Sequence, residues 1–120
     1  LDGDLGVGKT TFTRLFINHL SDRYGARKPK TIKSPSFPLM INYPFLEFEI
    51  YHFDLFRIFD KSELLELNIF EKFEKNISII EWPKIILDNF ELMDYYLLEF
   101  KLINLNKRLL KITHSTIKEI

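Results

Sequence analysis

The stretch Gly3-Asp4-Leu5-Gly6-Val7-Gly8-Lys9-Thr10 fits the pattern G-x-x-x-x-G-K-[ST], in which every fixed position has a physical task. Glycines let a loop turn its backbone N–H groups inward around phosphate oxygens. Lys9 sets an ammonium against the terminal phosphates of a nucleoside triphosphate, and the Thr10 hydroxyl is a ligand for Mg²⁺. A helix that starts here adds its positive N-terminal end. Three of the four glycines of the 120-residue chain fall in this loop, so backbone freedom is concentrated where a ligand must be approached closely. By average residue usage the pattern arises by chance in a chain this long roughly once in a few hundred. Because such a loop joins a buried strand to a helix, it decides the fold class as α/β.

The chain downstream supplies the expected context. Phe12, Leu15, Phe16 and Leu20 recur at the one-face spacing of an amphipathic helix over residues 10–20. Ser34-Pro35-Ser36-Phe37-Pro38 is extended or turn-like, since two prolines exclude helix around them. Residues 39–43 and 47–54 read as strands with a turn at Pro44. Asp60 and Glu63 form a capping-box pattern that opens a helix running to Lys75, with Leu64, Leu67, Phe70 and Phe73 as its inner face. Residues 76–81 read as a strand buried on both faces, and Pro83 opens a helix to Phe90. Alternation over residues 95–103 and 108–114 around a polar turn predicts a late β-hairpin. The sum is an α/β, P-loop NTPase-like three-layer fold, a mixed β-sheet flanked by helices with a C-terminal β-hairpin. The expected unit is a single P-loop domain over residues 1–120, in which the strand that normally precedes such a loop is almost absent.

Composition narrows the function classes. Seventeen acidic residues balance seventeen basic ones, so the global basic footprint of an autonomous nucleic-acid binder is missing. The absence of cysteine excludes disulfides, thiolate nucleophiles and Cys-based zinc sites. No apolar run approaches the roughly 18 residues of a membrane span, and no signal-peptide pattern opens the chain, so a cytoplasmic protein is expected. Twelve Phe are spread evenly, as coding bias spreads them, rather than gathered into an aromatic stripe.

A P-loop enzyme also needs carboxylates at the carboxyl ends of neighbouring strands, where open α/β sheets bind their ligands. Glu81 ends one predicted strand and Asp54 another. The plainer readings are a helix-start acid before Pro83 for Glu81, and a turn acid or a partner of Arg57 for Asp54. His52 lies two residues before Asp54, on the same strand face, where it either orients a carboxylate or is simply buried. Trp82 either stacks on a base or packs on Pro83.

Taken together, Gly3-Asp4-Leu5-Gly6-Val7-Gly8-Lys9-Thr10-Thr11-Phe12, Ser34-Pro35-Ser36-Phe37, His52-Phe53-Asp54-Leu55-Phe56-Arg57 and Ile80-Glu81-Trp82-Pro83 closely resemble the TsaE (YjeE) family, in order and spacing, over residues 1 to about 85. The resemblance implies a small bacterial ATPase, using ATP and Mg²⁺, that is needed to form N6-threonylcarbamoyladenosine (t6A) at position 37 of tRNA. It implies action alongside a TsaD–TsaB pair, TsaD being the transferase, with tRNA met only through the complex. Lys9 and Thr10 would then serve phosphate and Mg²⁺, with Thr11 beside the phosphates. Glu81 would assist the metal, Asp54 would be a catalytic or switch carboxylate, Trp82 would lie near the nucleotide, and residues 34–37 would be a switch loop. Val7 stands for a usual Ala, Ser36 for Thr, Phe56 for Tyr, Asn68 for a frequent Gly and Lys84 for a common acid.

Two other classes remain in view. A small-molecule P-loop kinase would need an Arg-rich lid, which is absent, and a truncated relative would bind partners without catalysis. A GTPase lacks its base-reading motif, since Asn106-Lys107-Arg108-Leu109 has no acid at the last position.

Overall fold

The computed structural model describes residues 1–25, 28–29, 31–33, 35, 39–92 and 94–116. Helix α1 (Lys9–Arg23) is followed by strands β1 (Met40–Pro44) and β2 (Glu49–Asp54), helix α2 (Lys61–Glu66), a 3-10 turn (Phe70–Lys72), β3 (Ile77–Glu81), helix α3 (Lys84–Asn89) and the hairpin strands β4 (Tyr96–Asn104) and β5 (Lys107–His114). Strand β2 is central to its sheet, antiparallel to β1 and parallel to β3. β4 and β5 pair antiparallel. Leu1 and Asp2 lie between the two groups. The Leu1 nitrogen donates to the Ile80 carbonyl (2.6 Å) and Trp82 N–H to the Leu1 carbonyl (3.2 Å). On the other side, Asp2 N–H donates to Leu98 and Phe100 N–H to Asp2, both at 2.8 Å and in parallel register with Glu99. The sheet is therefore mixed, as expected, and two residues occupy its middle.

Alternation along β2 and β3 sends side chains to two cores. Ile50 and Ile79 pack with Ile17 of α1, Ile32 and Tyr43 on one face. Phe53 packs with Leu55, Ile58, Leu64, Ile69 and Ile86 on the other, beneath α2 and α3. Helices thus cover both faces, and the carboxyl ends of β2 and β3 open at one edge beside the start of α1.

Four local expectations are corrected. The helix expected from Asp60 to Lys75 stops at Glu66. Asp60 does cap it, accepting from Ser62 N–H at 3.0 Å, but Asn68 takes a left-handed φ of 52° and Lys75 one of 61°, which a continuous helix forbids. The buried stripe of α1 is Lys9, Thr13, Ile17 and Ser21, while Leu15 is exposed. Thr13 and Ser21 are tolerated inside because their hydroxyls donate to the carbonyls of Lys9 (3.0 Å) and Ile17 (2.9 Å). Strand β3 is fully buried only at Ile79 and Glu81, so it is less enclosed than its apolar run suggests. Pro44 is the last residue of β1 rather than the turn itself, and the turn falls on residues 45–48.

Candidate functional site

The loop ahead of α1 takes its shape from its glycines. At Gly3 (φ 148°) a Cβ would sit 2.7 Å from the Phe100 carbonyl and 2.9 Å from Val7, so only glycine lets the loop pass this close to β4. Gly8 (φ 120°) stands immediately before the helix in a conformation L side chains rarely adopt. From Gly6 to Thr11 the chain curves along one wall of a cavity of about 540 Å³, at the carboxyl edge of the sheet.

Lys9 is 5% exposed, yet its ammonium reaches that cavity. The Nζ donates to the Gly3 carbonyl and rests 3.5 Å from the centre of the Trp82 ring, a cation–π contact. Burial lowers the Lys9 pKa below its ordinary value, although the carboxylates of Glu81, Asp2 and Asp54 oppose the shift. An ammonium short of solvent and facing a cavity is suited to an anion.

The opposite wall comes from β2 and β3. Their parallel register pairs Asp54 with Glu81 at the two strand ends, both carboxylates lining the cavity. Glu81 is buried at 3%, and its Oε2 lies 2.6 Å from Nε2 of His52, which is fully buried on the next strand. His52 sits one register step back on the same face, within diagonal cross-strand reach. Its Nδ1 is buried without a hydrogen-bond partner among the described residues, so the ring's polar contact is directed at Glu81. Asp54 is half-buried and accepts from Phe56 N–H at 3.0 Å, closing the turn after β2 while still facing the cavity. The plain reading of Asp54 as a turn acid thus describes one of its two occupations.

Trp82 follows Glu81 with φ 58°, an outlier for a bulky residue. The unusual backbone turns the indole over Lys9 and against Phe56, whose ring centre is 4.8 Å away. Gly6, Val7, Gly8, Lys9, Thr10, Thr11, Asp54, Glu81 and Trp82 thus all border one cavity. Of the expected switch loop, Ser34, Ser36 and Phe37 lie outside the described residues. Among the described residues, no three His, Cys, Asp or Glu side chains form a self-sufficient cation site. A phosphate-bound Mg²⁺ asks for less, keeping waters and substrate oxygens around one or two protein ligands, and the hard oxygen donors of Thr10, Asp54 and Glu81 fit it.

With that geometry in place, a family model described as "Threonylcarbamoyl adenosine biosynthesis protein TsaE" matches residues 1–110. The chain belongs to the TsaE family. Among proteins named tRNA threonylcarbamoyladenosine biosynthesis protein TsaE, that of Rickettsia bellii is 40% identical over 117 residues, covering 96% of this chain and 76% of the relative. The one from Haemophilus influenzae is 40% identical over 85 residues, covering 70% of this chain and 50% of the relative. The crystal structure of Bacillus subtilis YdiB superposes with a TM-score of 0.52 at 21% identity, which bears on the fold alone. This chain is covered to 89% in that superposition and spans 60% of the YdiB chain. No helix of the described residues is long and apolar enough to cross a membrane.

The TsaE motifs account for one side of the cavity and miss the other. Phe100 and Arg108, from the hairpin, also line it, and Phe100 packs edge-on against Phe12 of α1 at 6.0 Å. Alternation places both residues on one face of the hairpin. Which way that face turns depends on the Asp2–Glu99 pairing, which no local pattern reveals.

Proposed function

We propose that this TsaE-family chain binds ATP with Mg²⁺ and hydrolyses it to ADP and phosphate, and that this hydrolysis serves t6A formation on tRNA alongside TsaD and TsaB, which carry out the transfer. The observation that carries the reading is the convergence of Lys9, Asp54 and Glu81 on one cavity at a helix N-terminus. In P-loop chemistry the protein contributes positioning and charge stabilisation rather than a covalent intermediate.

In this reading the backbone N–H groups of Gly6 to Thr10 receive the β-phosphate, and Lys9 moves its ammonium onto the terminal phosphates. The Thr10 hydroxyl and Glu81 hold Mg²⁺, which supplies Lewis-acid neutralisation of the phosphate oxygens when bound. His52 keeps the Glu81 carboxylate aimed into the cavity, in the way buried partners orient metal-binding carboxylates. Asp54, more open to solvent, accepts a hydrogen bond from the attacking water and orients it in line with the departing ADP. Membership of a family named for t6A biosynthesis supports the pathway, and the site chemistry supports ATP as the reactant.

The test is phosphate release by the full-length protein, alone and with TsaD and TsaB. Free phosphate is expected, released faster with the partners, and Lys9→Ala should lower the rate at least about 100-fold. A phosphorylated metabolite in place of free phosphate would point to a kinase instead. Normal tRNA modification in cells carrying only Lys9→Ala would remove hydrolysis from the pathway.

A further inference from the structure

Strand β4 continues past Glu99, the residue in register with Asp2, for five more residues to Asn104. At about 3.3 Å per residue, the hairpin tip overhangs the carboxyl edge of the sheet by some 15 Å, beside the loop that holds Lys9. The register pairs Phe100 with Leu110 and Leu102 with Arg108. Partners two apart share a face, so Arg108 projects from the same face as Phe100, which packs on Phe12 of α1. The overhang therefore sets Arg108 in the cavity wall, across from the strand ends that carry Asp54 and Glu81.

Its chemistry suits that place. Arg108 is exposed, and its described side-chain hydrogen bond uses one nitrogen, Nη1, on the Leu105 carbonyl at 3.0 Å. The rest of the guanidinium fork remains available among the described residues. Lys9 alone faces two carboxylates in this cavity, so without Arg108 the lining is net acidic and poorly matched to a polyphosphate. A planar guanidinium offers paired donors to phosphate oxygens, which the single ammonium of Lys9 does not.

We infer that Arg108 is a nucleotide-binding residue, its guanidinium holding the phosphate chain of the bound nucleoside triphosphate from the hairpin side of the cavity. The inference rests on the ATP-binding reading above. It makes the hairpin part of the site.

Isothermal titration of the full-length protein with ATP, ADP and AMP, each with Mg²⁺, tests it in wild type, Arg108→Ala, Arg108→Lys and Lys107→Ala. Lys107 neighbours Arg108 and points to the other hairpin face, so it reports any general charge effect. Arg108→Ala should weaken ATP and ADP about tenfold, a charge-assisted contact's worth, with AMP affected less. Arg108→Lys should recover part of the loss, and Lys107→Ala should bind ATP within twofold of wild type. Binding of ATP by Arg108→Ala within twofold of wild type overturns the inference. So does an equal loss from Lys107→Ala, or an equal loss for AMP and ATP. Failure of the wild type to bind ATP overturns the nucleotide reading itself, and with it this one.

Discussion

The two walls of the cavity are built on different principles. The β2–β3 wall consists of parallel strand ends, where His52 and Glu81 lie inside the protein and meet at 2.6 Å, with the half-buried Asp54 beside them. The hairpin wall is exposed from Lys101 to Leu110, and Leu105 at its tip is 88% accessible. A carboxylate that must keep one geometry gains from enclosure, where a neighbour fixes its rotamer and water does not compete. A residue that must come down on a ligand gains from an open strand pair with few contacts to break. The contrast separates a preset part of the site from an adaptable one.

The strongest way to break that contrast is Glu81→Gln. The amide keeps the volume and a hydrogen-bonding partner for His52 while removing the charge. Hydrolysis should fall about 100-fold or more, with ATP affinity within a fewfold of wild type by titration. An unchanged rate would move the essential carboxylate to Asp54.

His52→Ala comes next. The loss of an orienting partner should raise the Mg²⁺ concentration needed for half-maximal hydrolysis at least about tenfold. A structural role alone would lower the melting temperature and leave the Mg²⁺ dependence in place. Gly3→Ala probes the seam between the walls. Its Cβ would collide with the Phe100 carbonyl 2.7 Å away, and chemical denaturation should register about 2 kcal/mol of destabilisation. The smallest effect belongs to the tip. Leu105→Ser should change stability by less than about 0.5 kcal/mol, as substitutions at open positions do. A larger loss would show that the hairpin is more tightly held than its exposure indicates.

The same division governs what could be read from the chain before its structure. The loop from Gly3 to Thr10, its position before α1 and its place along the cavity were legible because the pattern fixes residue types at fixed spacing. Asp54 and Glu81 were legible because strand ends can be located from apolar runs and sheet ligands gather there. The hairpin itself was legible from alternation. Arg108 was not, since its place in the site depends on β4 pairing with Asp2, nearly a hundred residues away in sequence. The helix expected through Lys75 failed at Asn68, where one left-handed residue outweighs a well-formed apolar spacing. The buried face of α1 was misread because Thr13 and Ser21, polar by type, satisfy their hydroxyls on their own helix and so can go inside. Trp82 was named, but not the strained backbone that aims it, and no residue type announces a positive φ at tryptophan.

That aim gives the protein an optical property. Trp82 is the only tryptophan in the chain, and a positive charge sits 3.5 Å from its ring. Indole emission responds to local electric field and to quenching neighbours, so its colour and intensity are set by where the Lys9 ammonium rests. A phosphate oxygen competes with the ring for that ammonium. On the proposed nucleotide-binding reading, each binding event is expected to change the intrinsic fluorescence of the molecule, and titration with ATP followed at the Trp82 emission checks it.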